Sequence, residues 1–200
     1  MDRDDVIVES TQTLHDGFFR MDHLHLRHRL FDGGWSPVLS REIMLRAPVA
    51  AVIPYDPVAD KVVLLEQFRG GMYLAGDAHP WSIEIVAGII EPGESAEDMA
   101  RRETLEETGC TVARLEKIID FYPSPGGCSE FVSLFCGEVS SAGAGGVHGV
   151  PAEGEDIRVF TQSIDKMMDL VASGAIDNSI GIIGVQWLAT NRNTLRKRWS

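Results

Sequence analysis

A chain of 200 residues, 44% apolar and 24% charged, is long enough for one ordinary domain with a real core and too apolar to be disordered over most of its length. Its formal net charge of -12 argues against a polynucleotide partner, because phosphate contacts dominate the affinity of nucleic-acid binders and call for a basic face. A small anionic ligand suits such a chain only if cations screen it from the protein.

Met1-Asp-Arg-Asp-Asp5 has no apolar h-region, so no signal peptide is evident. Residues 6 to 45 read as β-rich. Val6-Ile-Val is a short strand, and Leu24, Leu26, His28 and Leu30 alternate with His23, His25, Arg27 and Arg29 at strand period. That alternation sets His28 on the face opposite His23 and His25, which disfavours a histidine metal site. Phe31-Asp-Gly-Gly34 makes a turn, and Ser36 to Leu45 a further strand. These strands alone can hardly make a core and need a partner surface. Val49 to Pro54 and Lys61 to Glu66 are apolar strands around the turn Asp56 to Asp60. Ser82 to Val86 is a strand ending at Ala87-Gly88, and a helix spans Ala96 to Thr108. Strands follow at Thr111 to Phe121, Glu130 to Val139 and Ile157 to Phe160, then helices at Ser163 to Ala172 and Ser179 to about Asn191. Ser140 to Asp156, rich in Gly, Ala and Ser, is a long loop of the kind that is functional or disordered.

The apolar stretch Ile180 to Ala189 is too short to cross a bilayer. Arg192 to Arg198 reads as a solvated helix end whose charges suit the helix dipole. Cys110, Cys128 and Cys136 lack zinc-ligand spacing, and their odd number fits a reducing compartment. Cys128 has no basic neighbour in sequence, so it is not expected to be a catalytic thiol. A soluble cytoplasmic protein with no membrane association is the expectation.

The helix from Ala96 carries the informative inconsistency. Ser95 is a good N-cap with Asp98 three residues on, and Gly109 a good stop. At about 100° per residue from Glu103, the small and apolar residues Ala96, Met99, Ala100 and Thr104 define one side. Glu107 lies in the middle of that side, with Glu106 at its edge. Carboxylates at i, i+3 and i+4 repel one another, so something must neutralise them. Oxygen-rich clusters suit hard divalent cations such as Mg2+ or Mn2+.

Gly88, Glu94 and Arg102-Glu103-Thr104-Leu105-Glu106-Glu107-Thr108-Gly109-Cys110 match the 23-residue Nudix box, and the chain resembles the Nudix hydrolase family. Thr104 departs from it, since the family prefers an aliphatic residue there. The resemblance implies an α+β fold (an α/β/α sandwich) with a mixed central sheet flanked by helices, plus a small N-terminal antiparallel sheet. It implies that Glu103 and Glu107 bind metal with Glu106 assisting, that the Ala87 carbonyl adds a ligand, and that Glu94 and Arg102 stabilise the loop-helix-loop. Two or three Mg2+ ions per site are implied, with Mn2+ as a possible substitute.

The flanks are more discriminating. Ser124-Pro-Gly-Gly-Cys-Ser-Glu130, Gly146 to Arg158, Ile176-Asp-Asn178 and Gln186-Trp-Leu188 look like bacterial ADP-ribose pyrophosphatases, as do Gly17-Phe-Phe, Arg27 to Phe31 and Arg41-Glu-Ile43. This implies cleavage of ADP-ribose to AMP and ribose 5-phosphate by a homodimer whose N-terminal strands cross to the other subunit. Residues 1-46 are then a dimerisation and substrate-binding element and 47-200 the hydrolase domain. By the same resemblance Glu153 matches the catalytic base, with Glu155 positioning metal or water. Which of the two serves is open from sequence. Arg69 matches a diphosphate contact, and Phe18 and Arg41 match residues that sandwich adenine. Glu84, on the strand leading to Ala87, is placed to face the site. Gly126 and Gly127 allow close backbone approach to substrate, with Glu130 in the same loop. Two rivals remain: a Nudix hydrolase of another nucleoside diphosphate sugar such as GDP-mannose, and a non-catalytic module that senses ADP-ribose.

Overall fold

The computed structural model describes every residue except Pro151, Glu153 and Ser200. The chain divides into two compact units, Met1–Pro48 with Tyr122–Phe131, and Val49–Phe121 with Val132–Ser200. The segment after residue 121 thus belongs with the N-terminal residues, which sequence order does not suggest.

In the smaller unit a 3-10 turn at Arg3–Asp5 leads into β1 (Val6–Asp16), β2 (Arg20–His28) and β3 (Leu39–Leu45), an antiparallel sheet in that order. β1 is far longer than the three residues expected, and every residue in it is exposed. An 11-residue strand of Ser, Thr, Gln, His and Asp with a few apolar residues gives no clean alternation to read. The segment 122–131 is tied to β3: Met44 N donates to Gly127 O at 2.9 Å and Ser129 N to Met44 O at 3.0 Å.

The larger unit is built on an eight-stranded sheet. Its strands are β4 (Val49–Asp56), β5 (Lys61–Phe68), β6 (Trp81–Glu84), β7 (Val86–Ile89), β8 (Leu115–Phe121), β9 (Val132–Glu138), β10 (Gly146–His148) and β11 (Ile157–Ser163). The main path runs β10-β11-β5-β4-β9-β8, with β4 and β9 parallel and the other pairs antiparallel. The helices are α1 (Gly70–Leu74), α2 (Ala96–Thr108), α3 (Ile164–Ala172) and α4 (Ser179–Trp199).

β4 and β5 pair only next to their turn, at Tyr55↔Val62 and Asp56↔Lys61, and then diverge. β6 pairs with β5 and β7 with β4, so the single strand expected at 82 to 86 is instead broken at Ile85 between two partners. This opening carries Glu84, Ala87 and Gly88 under α2. The sheet is buried on both faces, as the unbroken apolar runs of β4 and β5 require. One face packs Ile53, Leu64, Ile85 and Leu134 against α3 and α4 through Met167, Val185, Leu188 and Leu195. The other packs Val52, Leu65, Val86 and Ile157 against α2 through Met99 and Ala100. The α/β/α sandwich with its additional antiparallel sheet is therefore as expected.

Three local expectations change. α1 and β10 were not anticipated, because each is short and glycine-rich. α4 continues through the basic cluster to Trp199. That cluster is not simply solvated: Arg192 pairs with Asp60 and Asp165, Arg196 with Asp60, and Arg198 with Glu116.

Candidate active site

α2 forms where its caps dictate. Ser95 Oγ accepts from the Asp98 amide at 3.1 Å, and Gly109, at φ 70, donates its amide to Leu105 O at 2.8 Å. Met99, Ala100, Thr104, Glu107 and Thr108 are buried, which is the face expected from the helical spacing. Thr104 is accommodated in the core because its hydroxyl donates to Ala100 O at 2.6 Å. Glu107 is only 5% exposed, and its Oε2 has no hydrogen-bond partner among the described residues. Burial pushes its carboxyl up to about 9, reinforced by Glu103, Glu155 and Glu84 and opposed by Arg69. An orphaned buried carboxylate costs more than most native sites tolerate.

Glu103 is half-buried and also raised, first by burial and then by Glu106 and Glu155, with Arg102 opposing. It lies against Gly88 on β7, where an added Cβ would stand 2.3 Å from Glu103 Oε1. Only glycine leaves room for that carboxylate beside Ala87. Arg102 ties the segment together. It grips Glu94 with Nε at 2.9 Å and Nη2 at 3.1 Å, and its Nη1 reaches Glu103 at 2.8 Å and Glu106 at 3.0 Å. Glu94 in turn accepts from the Glu91 amide. Glu106 is exposed, at the rim.

Arg69 follows β5, and its guanidinium donates from Nε and Nη2 to Glu84 at 2.8 and 2.5 Å. Its charge is felt by Glu107 and Glu155 as well. Glu155 closes the end of the long loop on itself, with Oε2 accepting from Val150 N at 2.9 Å. Gly149, at φ +105, permits this, since a Cβ there would be 2.7 Å from Glu155 Cβ. Thus Arg69, Glu84, Glu103, Glu107 and Glu155 share one electrostatic neighbourhood in the larger unit. Glu153 lies outside the described residues.

Phe18, Arg41, Gly126, Gly127 and Glu130 belong to the smaller unit. Phe18 sits in the β1–β2 turn, 86% exposed, edge-on to Phe19. Arg41 pairs in register with Leu24, whereas the end of that hairpin is at Arg20↔Leu45. Four register steps, on the order of 13 Å, therefore separate Arg41 from the turn holding Phe18, so the two do not form a stack within one chain. Gly127 O accepts from β3, and Glu130 pairs with Arg46 at 2.8 Å.

Residues 45–170 match the family model described as NUDIX domain. The chain belongs to the Nudix family. The ADP-ribose pyrophosphatase of Escherichia coli (strain K12) is 44% identical over 198 residues, covering 99% of this chain and 94% of that protein. The ADP-ribose pyrophosphatase of Haemophilus influenzae is 42% identical over 197 residues, covering 98% and 91%. The GDP-mannose pyrophosphatase of Escherichia coli O139:H28 is 30% identical over 195 residues, covering 94% of each. A solved structure titled "Crystal structure of ADP compounds hydrolase" superimposes with a TM-score of 0.73 at 18% identity, covering 97% of this chain and 96% of that one, and supports the fold alone.

Nudix membership implies dependence on a divalent metal, commonly Mg2+. Among the described residues no group of three or more His, Cys, Asp or Glu side chains is arranged to hold a metal ion. The donor chemistry nevertheless fits: Glu107 has a buried oxygen without a partner among the described residues, Glu103 lies against Gly88, the residue after Ala87, and the excess negative charge there wants a hard cation. One residue beside this Nudix site and one that anchors its long loop escaped the sequence reading. Gln67 donates to Glu84 Oε2 at 3.4 Å, and strand alternation from Leu65 through Gln67 could have signalled its face. Asp56 anchors the start of the long loop by accepting from Ser141 N at 2.7 Å and Oγ at 2.8 Å. Its own Asp-Pro turn chemistry was the available signal.

Proposed function

We propose that this Nudix protein hydrolyses the pyrophosphate bond of ADP-ribose to AMP and ribose 5-phosphate, with Mg2+ as cofactor. The observation that carries the substrate is the gap in likeness: 44% identity along nearly the whole chain to an ADP-ribose pyrophosphatase, against 30% to a GDP-mannose pyrophosphatase of similar coverage.

Glu103, Glu107 and the Ala87 carbonyl would hold the metal, with Glu106 assisting from the rim. Bound Mg2+ supplies charge neutralisation for the diphosphate and a water of lowered pKa. Arg69 meets the diphosphate from the sheet side. Glu153 accepts the proton of the attacking water, and Glu155 fixes the loop that carries it. Gly126 and Gly127 leave the backbone open to substrate, with Glu130 holding their loop through Arg46. Phe18 and Arg41 supply the aromatic and guanidinium planes that stack on adenine.

Residues 1-46 serve as a dimerisation and substrate-binding element. Support comes from β1, an exposed edge strand whose Val6, Ile7, Val8 and Leu14 are all more than 40% exposed. A homodimer with crossing N-terminal strands would cover them and pair Phe18 of one copy with Arg41 of the other. Three free cysteines suit a reducing cytoplasm, and no helix among the described residues is long and apolar enough to cross a membrane.

A panel of nucleoside diphosphate sugars with Mg2+, with products separated by chromatography, tests the reading. ADP-ribose should be turned over fastest, releasing AMP. Faster turnover of GDP-mannose would reassign the substrate, and ADP-ribose binding without AMP release would make the chain a sensor. Glu153→Gln should lower turnover and leave substrate affinity nearly intact; full activity would remove Glu153 as the base.

A further inference from the structure

We infer that Glu84 is a positioning residue, which holds one edge of the Arg69 guanidinium so that the opposite edge is presented to the diphosphate. The inference rests on the proposed meeting of Arg69 with that diphosphate and assigns the residue that makes it possible.

Register explains the contact. Leu65 pairs with Glu84 and Phe68 with Trp81, and Arg69 N donates to Pro80 O at 2.8 Å. Arg69 therefore starts beyond the end of β6, and its side chain must lie back along the sheet to reach Glu84. It arrives as a two-point fork, Nε to Oε1 at 2.8 Å and Nη2 to Oε2 at 2.5 Å, while Gln67 Nε2 steadies Oε2 at 3.4 Å. This fork uses two of the five guanidinium hydrogens. Among the described residues no other side chain accepts from the remaining Nη1–Nη2 edge, which has the spacing for a second bidentate partner such as a phosphate.

The alternative is that the diphosphate displaces Glu84. Burial opposes it. The Glu84 side chain is 13% exposed against 45% for Arg69. Stripped of its arginine, Glu84 would be a largely buried carboxylate left with the long Gln67 contact at 3.4 Å. The diphosphate adds to the pair instead. An arginine stem is flexible, and fixing it before substrate arrives removes that ordering cost from binding.

Two measurements test this. In the metal-free protein, the Arg69 Nε–H resonance, assigned by its loss in Arg69→Lys, should be shielded from solvent exchange by Glu84 and lose that protection in Glu84→Gln. By calorimetry with ADP and Mg2+, Glu84→Gln should weaken binding about three- to tenfold, the range for leaving one long side chain unordered. In an Arg69→Ala background the same substitution should have no further effect. A merely structural role would instead give additive losses and a lower Tm, which overturns the inference. So would an Arg69 Nε–H that exchanges freely in the unsubstituted protein, or tighter ADP binding by Glu84→Gln, the mark of a competitor. Should Glu84→Gln not fold, Glu84→Asp, which keeps the charge but is one methylene too short for the fork, takes its place with the same expectations. Failure to hydrolyse ADP-ribose would defeat the proposed substrate but leave the resonance and the ADP affinities to decide Glu84.

Discussion

The two units of this chain are held together by different physics. The larger has apolar clusters on both faces of its sheet, and each fully buried Val, Leu or Ile there is worth roughly 1.5–3 kcal/mol. The smaller has no apolar residue among its buried ones, which are Asp22 and Ser36. Its sheet rests on ladder hydrogen bonds and polar contacts such as the fork of Arg20 on Asp22 and the ion pair of Arg46 with Glu130. A three-stranded sheet of that kind is marginal alone. The rigid unit can therefore carry a destabilising charged site, whereas the polar unit has no buried apolar residue among its described ones to offset such a cost.

The largest effect tests whether the rigid unit bears that cost. Glu107→Gln should lower kcat/KM by more than about 100-fold, because even outer-shell partners of a metal are worth roughly 10–100-fold. At the same time the metal-free protein should melt higher, since a crowded buried carboxyl becomes a neutral amide, and the rise in Tm on adding Mg2+ should shrink. Lower activity together with lower metal-free stability would mean that Glu107 is a structural group. Next is Gly88→Ala. Its Cβ cannot share space with Glu103, so activity should fall roughly ten- to hundredfold, as for other losses of support to a ligand. Steady-state kinetics with a Mg2+ titration checks both.

How far the sequence foretold this depends on how local each cause is. α2 and its buried Glu107 were legible to the residue, because caps and a 100° period act within one helix. The turn at Asp56 to Asp60 was equally local. The break at Ile85 was not, since it exists only because β4 and β5 diverge and each takes half of one segment. The bond from Arg69 to Glu84 spans 15 residues and depends on that register. Arg192 meets Asp60 across 132 residues, so its sequence context showed only a basic helix end. The extent of β1 had no burial pattern to betray it.

The third effect sharpens the contrast from the polar side. Val8→Lys with Leu14→Lys places two charges on the exposed β1 edge. Under the dimer proposal this should weaken self-association by on the order of ten- to hundredfold, read by sedimentation over a dilution series. Amide exchange of β4 and β5 should not change. An unaltered oligomeric state would remove β1 from the interface.

The smallest effect lies in the rigid unit's own polar latch. Asp60 accepts from Tyr55 at 2.7 Å and from Arg192 and Arg196. Arg192 chiefly, with Tyr55 and Arg196, holds its carboxyl below the usual range against the opposing pull of burial. Asp60→Asn keeps the size and tolerates the φ of 57, but removes the charge. With the charged partners partly exposed, the loss should be about 1–2 kcal/mol, or about 2–8 °C in Tm for a chain of this size. The sign with pH follows from the lowered value. The stabilisation is complete above the ordinary carboxylate pKa near ~3.9 and disappears as pH falls through the lower folded value. The gap between the two proteins in thermal melts should therefore be full at pH 7 and narrow below about pH 4, as Asp60 itself takes up a proton. A gap that stays constant down to acid would trace the loss to packing at the turn. The apolar clusters alone would then distinguish the rigid unit from the polar one.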